Sequence, residues 1–182
     1  MRTVMSNDCA SRRQYDVGSP RYGRYDDNGN TETGDRDALR PKAESSRHAR
    51  TVVAIVIRRF DKIALLKRSA IMTSDAGLWH CITGYLEPMI TPERQAAIEL
   101  LEETGLHTTE LDTFRTGPIL TIPASTTIWQ IHPFLAETTH RQLQLNWEHE
   151  RYRWIKVSQR TRYQRVGWLE DVLSALQLLK ST

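Results

Sequence analysis

A helix with clearly marked ends lies near the middle of the chain and limits the folds that this sequence can adopt. Thr91 is a residue type that caps helices, Pro92 suits the first helical position, and Glu93 places a negative charge in the first turn. Gly105 suits the position just after the last turn. These signals predict a helix that begins at Pro92 and ends before Gly105.

Apolar segments rich in β-branched residues surround this helix and predict strands. The predicted strands are residues 51–59, 63–69, 78–87, 113–122, 126–138 and 153–157. The first two form a hairpin, and an amphipathic helix at 166–180 closes the chain. This order of strands and helices predicts an α/β (α+β) domain in which helices pack on a mixed, partly antiparallel sheet.

The beginning of the chain differs in composition from the rest. Residues 1–50 are polar and mixed in charge and contain few aliphatic side chains, so they cannot bury enough apolar surface to offset the entropy of ordering. We predict a disordered polar tail at 1–50 and one domain at 51–182, a length that one core can serve. The alternative is a tail whose arginine and tyrosine residues fold onto RNA or a protein partner.

Composition narrows the location and the partners. The chain lacks both a run of about 18 apolar residues and the apolar segment of a secretory signal, which predicts a cytoplasmic protein without a membrane span. Cys9 and Cys81 are the two cysteines, a number and placement that suit reduced thiols. The net charge of +3 does not by itself indicate a nucleic-acid partner.

Three glutamates on the central helix form the strongest candidate site. Glu99, Glu102 and Glu103 stand at i, i+3 and i+4, so they project from neighbouring positions of the helix surface. Like charges this close repel each other unless a cation or a basic partner neutralises them. Carboxylate oxygens favour Mg²⁺ or Mn²⁺ over zinc. A solvated acidic helix face is the alternative that spacing alone leaves open.

The stretch from Gly84 to Leu106 resembles the signature of Nudix hydrolases, in which a glycine and a glutamate precede Arg-Glu-aliphatic-any-Glu-Glu-any-Gly-aliphatic. Glu99, Glu102 and Glu103 match the last three glutamates of that signature. The resemblance implies a Nudix-type α/β/α sandwich with a mixed sheet and these three residues as ligands of Mg²⁺ or Mn²⁺. It also implies a hydrolase, with catalytic Glu102 and Glu103, that cleaves a nucleoside diphosphate linked to another moiety.

Two positions depart from the signature. Ile90 stands where its first glutamate is usual, and Ile98 replaces the arginine before Glu99, which in the family is associated with orienting the signature carboxylates. One interpretation is a paired exchange of an ion pair for an apolar contact, with the metal site retained. The other is a catalytically impaired Nudix-fold module that binds a nucleotide, RNA or a protein partner.

Hydrolysis also needs a group that activates or orients water, and a loop facing the helix can supply a carboxylate. Glu148 and Glu150 are the candidates in the segment 145–154. We predict that Glu150 acts in catalysis together with Glu102 and Glu103.

Further residues are predicted to hold a nucleotide-type substrate, because phosphates need cations and hydrogen-bond donors. The predicted substrate-binding residues are Lys67, Arg68, Gly84, Glu148 and Arg151. The basic segment 153–165 could also follow a nucleic-acid backbone. The resemblance to Nudix proteins further implies a possible homodimer.

Overall fold

The computed structural model describes residues 48–124 and 126–179. The disordered tail predicted for residues 1–50 therefore lies outside the described residues, except for its last three positions, which belong to the first strand. Two helices are present in the described part, α1 (Pro92–Thr104) and α2 (Leu169–Ala175), with short 3₁₀ helices at Thr108–Glu110 and Val157–Arg162. No helix within this part is long and apolar enough to cross a membrane.

One mixed sheet organises the described residues. Its strands are β1 (His48–Arg59), β2 (Lys62–Arg68), β3 (Trp79–His80), β4 (Ile82–Tyr85), β5 (Thr113–Thr116), β6 (Leu120–Pro123), β7 (Thr127–Glu137) and β8 (His149–Lys156). The order across the sheet is β3-β2-β1-β7-β5, with β4 beside β1, β6 beside β7 and β8 beside β2. β1 and β7 run parallel, and the other pairs are antiparallel.

Alternate residues of β1 enter two separate cores, because successive side chains of a strand point to opposite faces. Val53, Ile55 and Ile57 are buried together with Ala96 and Leu100 of α1. The opposite core combines the intervening strand residues Ala54 and Val56 with Leu169, Val172 and Leu173 of α2 and with Leu176, which follows the helix directly. The sheet thus lies between α1 and α2, and the predicted α/β/α sandwich is confirmed.

The central helix forms as its marked ends predict. The Thr91 side chain accepts a hydrogen bond from the backbone N–H of Arg94, a cap that contributes about 1 kcal/mol. Gly105 has φ 71° and its N–H bonds to the carbonyl of Leu101, which closes the last turn. Predicted and observed boundaries of α1 agree.

Several predicted elements differ from the structure, and the last predicted strand, 153–157, is observed as β8, which begins at His149 and ends at Lys156. The strand predicted at 78–87 divides at Cys81 into β3, which pairs with β2, and β4, which pairs with β1. The strand predicted at 113–122 divides into β5 and β6 around Gly117 and Pro118, where proline has no N–H for the ladder. The closing helix is shorter than predicted, because Gln177 adopts a left-handed φ of 58° two residues after α2 ends.

Candidate active site

Glu99 of α1 lies directly against the backbone of Gly84 in β4. A Cβ atom on residue 84 would lie 2.0 Å from Glu99 Oε1, closer than atoms can approach. Gln95 Nε2 donates a hydrogen bond of 2.9 Å to the same oxygen. The side-chain Oε1 of Gln95 in turn accepts a hydrogen bond of 3.4 Å from the backbone N–H of Glu87. Glycine at 84 therefore gives this carboxylate its space.

We expect Gly84→Ala to displace the Glu99 carboxylate, because the added methyl group would occupy its position. Overpacking of this kind costs about 1–3 kcal/mol of unfolding free energy, and a displacement of about 1 Å at a catalytic group can cost about 10²-fold in kcat. Denaturant unfolding and a turnover assay measure both effects. Gly167→Ala is the matched control, because a Cβ there has no heavy atom within 4 Å; equal effects of the two substitutions would contradict the expectation.

Glu103 is buried and bonded to a histidine from the far edge of the sheet. Its Oε2 lies 2.6 Å from Nε2 of His149, the first residue of β8, and neither side chain is more than 1% exposed. In the described part of the chain, three buried side-chain atoms lack a hydrogen-bond partner: Oε1 of Glu103, Nδ1 of His149 and Nε2 of His80. The His80 and His149 rings are 5.2 Å apart, so the three residues form one buried polar cluster.

Burial shifts the titration of this cluster towards the uncharged forms. Burial, the largest cause, together with the charges of Glu103, Glu102 and Glu148, raises the pKa of Glu99 to about 7, although the hydrogen bond from Gln95 opposes the shift. Burial and then the charge of Glu148 raise the pKa of Glu103 well above its ordinary range. Crowded, partly desolvated carboxylates favour a bound cation, because its charge offsets their repulsion.

The histidines are held neutral for the same reason. Burial, followed by the charges of His149 and Arg68, lowers the pKa of His80 to about 3. Burial likewise lowers the pKa of His149 to about 4, although the charge of Glu148 opposes this. At neutral pH both rings are uncharged, so they can donate one hydrogen bond each without adding a positive charge.

A test of His80 follows from linkage. Because its pKa falls from an ordinary 6.5 to about 3 on folding, the stability it contributes is present above pH 6.5 and is lost as the pH falls towards 3. We expect this group alone to lower the free energy of unfolding by about 2 kcal/mol between about pH 7 and pH 5. Urea unfolding of wild type and His80→Phe across that range measures it, and parallel pH profiles of the two proteins would contradict it.

The two loop carboxylates occupy different surroundings. Glu148 interacts electrostatically with both Glu99 and Glu103, and its Oε2 lies 3.8 Å from Nη1 of Arg68. Glu150, the predicted catalytic residue, accepts instead from Nζ of Lys67 at 2.7 Å and from the N–H of Ala70 at 3.2 Å. The structure therefore brings Glu148, and not Glu150, to the helix glutamates.

The predicted phosphate-binding cations are also separated. Arg68 acts electrostatically on Glu103, whereas Lys67 binds Glu150. Arg151 lies directly opposite Lys67 in the sheet, with its guanidinium 5.8 Å from the centre of the Trp79 ring. Lys67 and Arg151 thus lie on the α2 side of the sheet, away from the three glutamates of α1.

A sequence model of the NUDIX domain matches residues 47–176, which is most of the chain. The chain belongs to the Nudix family. The resemblance predicted from the stretch 84–106 is confirmed, and family membership supports hydrolase activity of the Nudix type in general. Among proteins with curated functions, none matches this Nudix chain.

Solved structures share its fold. The E. coli ORF135 protein is 27% identical with a TM-score of 0.57, covering 72% of this chain and 91% of its own. The Nudix domain of Shewanella oneidensis NrtR, solved with ADP ribose, is 13% identical with a TM-score of 0.60, covering 77% and 92%. A bifunctional NMN adenylyltransferase/ADP ribose pyrophosphatase from Francisella tularensis, solved with AMP and a Mn ion, is 19% identical with a TM-score of 0.60, covering 72% of this chain and 42% of its own.

The carboxylates of this Nudix domain fit a divalent cation that shares its coordination with water and substrate. Within residues 48–124 and 126–179, no three His, Cys, Asp or Glu side chains form a set that could hold a metal ion by themselves. Mg²⁺ is usually bound by one or two carboxylates, with waters and phosphate oxygens completing its octahedron. The unpartnered Oε1 of buried Glu103 and the half-buried Glu99 are donors of the required kind. Glu102 is exposed on the next position of the helix.

The two departures from the Nudix signature lie outside both cores. Ile90 and Ile98 are half-buried, and neither belongs to the two apolar clusters of the described residues or to the side chains packed against them. An apolar contact between Ile90 and Ile98 stays a prediction. Other residues near the glutamates can therefore orient the signature carboxylates, the role associated with the arginine in the family.

The site residues predicted from the sequence do not include Gln95, His80 or His149. Gln95 precedes Glu99 by four residues, and this helical spacing was the signal that could have identified it. No comparable local signal existed for the histidines. His80 and His149 are 69 positions apart in sequence and meet only through the sheet.

Proposed function

We propose that this Nudix domain catalyses the Mg²⁺- or Mn²⁺-dependent hydrolysis of a nucleoside diphosphate linked to another moiety. The observation that carries the proposal is the buried carboxyl group of Glu103, which lies near further carboxylates, interacts with His149 and with the backbone N–H of Thr83, and has an Oε1 atom that makes no hydrogen bond of normal geometry. A buried acceptor left unpaired costs about 1–3 kcal/mol, so a bound cation would relieve a cost that the metal-free protein bears.

In this proposal Glu99, Glu102 and Glu103 hold the cation. A cation held there would supply Lewis-acid chemistry, screening the negative charge of the phosphates and lowering the pKa of a water. Gly84 keeps Glu99 in place, since any larger residue would enter the space of its carboxylate. These roles agree with those that the resemblance to the family implies.

Glu148 is the carboxylate that we propose for water activation, in place of Glu150. The charge of Glu148 raises the pKa values of Glu99 and Glu103, whereas Glu150 is hydrogen-bonded to Lys67. Glu148 would accept a proton from water as the water oxygen bonds to a diphosphate phosphorus. The bridging P–O bond would break, and the products would be a nucleoside monophosphate and a phosphorylated second moiety. Arg68, beside Glu148, would bind a phosphate oxygen.

A nucleotide-type substrate is supported by family membership and by the ADP ribose bound to the Shewanella oneidensis Nudix domain. The test is a panel of ADP ribose, dinucleoside polyphosphates and nucleoside triphosphates, each incubated with the full chain and Mg²⁺ or Mn²⁺. We expect a nucleoside monophosphate from at least one compound, formed with metal and suppressed by chelator. No product above the chelator control across the panel would overturn the proposal.

A binding function is the second candidate, and a groove of about 670 Å³ at the free edge of β8 favours it. Three of its lining residues are arginines, Arg141, Arg153 and Arg162, and no ion pair joins them to another described residue. The neighbouring basic residues Arg160 and Arg165, in contrast, both bond to Glu170. The groove therefore presents unneutralised positive charge to an anionic partner.

Single-stranded RNA is the partner that we propose to test at this groove, through salt-dependent binding of its phosphates. Arg153→Gln/Arg162→Gln should weaken binding of a fluorescent oligoribonucleotide and reduce the slope of its salt dependence by about one for each phosphate that is no longer neutralised. Glu102→Gln should leave that binding unchanged. Binding that is insensitive to the arginine substitutions would overturn this second function. Cytoplasmic location and homodimer formation stay predictions.

A further inference from the structure

Two glutamates of the signature, Glu99 and Glu103, each contact a polar side chain that is not the arginine usual in the signature. We propose that Gln95 and His149 are positioning residues that together replace the arginine whose place Ile98 occupies, Gln95 by fixing Glu99 and His149 by fixing Glu103. The inference rests on the proposed function, because it concerns how the carboxylates of that site are oriented for a cation.

Gln95 is fixed at both ends of its amide. It is buried, its Nε2 donates to Glu99 Oε1 at 2.9 Å, and its Oε1 accepts from the N–H of Glu87 at 3.4 Å. A backbone N–H can only donate, so this contact requires the amide oxygen to face Glu87 and the amide nitrogen to face Glu99. The amide is therefore a directed donor. Gly84 lies against the same carboxylate, since a Cβ there would be 2.0 Å from Glu99 Oε1, and this close packing restricts the side chain further.

His149 holds Glu103 from the other side of the site. The 2.6 Å contact joins His149 Nε2 to Glu103 Oε2, in a place from which water is excluded by the burial of both side chains. Nε2 donates this hydrogen bond in the tautomer that carries the proton on Nε2, which is the tautomer that the proposal assigns to His149. Because Oε2 is engaged, the rotation of the carboxylate is fixed and Oε1 is the atom left free. Residues that orient a metal-binding carboxylate typically change metal affinity or activity by about 10–100-fold when replaced.

These two contacts matter because Ile98 stands where the signature usually has an arginine. An arginine can hold two carboxylates with one guanidinium, whereas isoleucine can hold none. In this chain the same task is divided between a glutamine on the same helix and a histidine from β8. The glutamates can thus stay oriented although the arginine is absent. From the sequence alone, the absence of that arginine was a reason to expect impaired catalysis.

The test measures Mn²⁺ binding by calorimetry on the full chain, which requires no substrate. Gln95→Met and His149→Phe preserve size and remove the donor, and each should weaken Mn²⁺ binding by about 10–100-fold. In turnover assays we expect the same variants to lower kcat more than they change KM. His149→Gln retains a donor near the position of Nε2 and should stay close to wild type. Adding Ile98→Arg to Gln95→Met should restore part of the lost affinity.

The outcomes separate this inference from the proposed function. Absence of Mn²⁺ binding and of turnover in the wild type would overturn the proposed function and this inference with it. Wild-type binding that both donor-removing variants retain would overturn this inference alone. Equal losses in His149→Phe and His149→Gln, or no gain from Ile98→Arg, would also overturn it, since packing would then explain the effect. Gln95→Met keeps the test valid if His149→Phe fails to fold.

Discussion

Glu103→Gln is expected to remove metal-dependent turnover while leaving the folded state as stable as the wild type or more stable. The substitution keeps the shape of the side chain and an oxygen that can accept from His149 Nε2. It removes a buried carboxyl group whose ionised form is disfavoured by burial and by the charge of Glu148, and the amide that replaces it carries no charge to desolvate, so the metal-free protein should not be destabilised. The proposed cation, however, loses its buried ligand.

We expect kcat to fall by about 10³-fold, which corresponds to about 4 kcal/mol of transition-state stabilisation from the bound cation. Thermal unfolding with and without Mn²⁺ provides the second measurement, because a ligand that binds only the folded state raises Tm. Mn²⁺ should raise the Tm of the wild type and not that of Glu103→Gln. Glu93→Gln, an exposed position in the first turn of the same helix, is the matched control and should behave as wild type. Retained turnover in Glu103→Gln would contradict the assigned role.

Glu148→Gln and Glu150→Gln should have very different effects, although the two residues are separated by one position in sequence. Loss of a general base lowers kcat by about 10²–10⁴-fold, and we expect this for Glu148→Gln. Glu150→Gln removes a surface ion pair with Lys67, and solvent screening leaves such a pair little influence on stability or on the distant helix glutamates. Its turnover should match that of the wild type.

Steady-state rates of both variants, with Mn²⁺ held constant, provide the measurement. A large loss in Glu150→Gln with normal rates in Glu148→Gln would restore the role that the sequence first suggested for Glu150.

The reason for this exchange of roles lies in the pairing of β2 and β8. The register shifts between Lys67 and Arg68, which pair with Arg151 and His149, so Glu150 is the extra residue of a β-bulge. A bulge changes the face to which the following residues point, and no local sequence signal predicted it here. Strand alternation likewise places neighbouring Lys67 and Arg68 on opposite sides of the sheet.

The sequence by itself determined the local features of this protein. The caps of α1 at Thr91 and Gly105, the apolar alternation of β1 and the helical spacing of the three glutamates depend on residues close together in the chain, so their patterns are readable without a structure. The signature from Gly84 to Leu106 was sufficient to identify the family.

The tertiary structure alone decided how those glutamates are held. His149 contacts Glu103, although the two are 46 positions apart in sequence. Gly84 leaves room for the carboxylate of Glu99. The charge of Glu148 acts on both Glu99 and Glu103. Contacts of this kind depend on sheet register, a bulge and the packing of α1 against β4, none of which leaves a periodic trace in the sequence. For that reason the sequence located the carboxylates, whereas the fold determined which atoms hold them and which oxygen is left free.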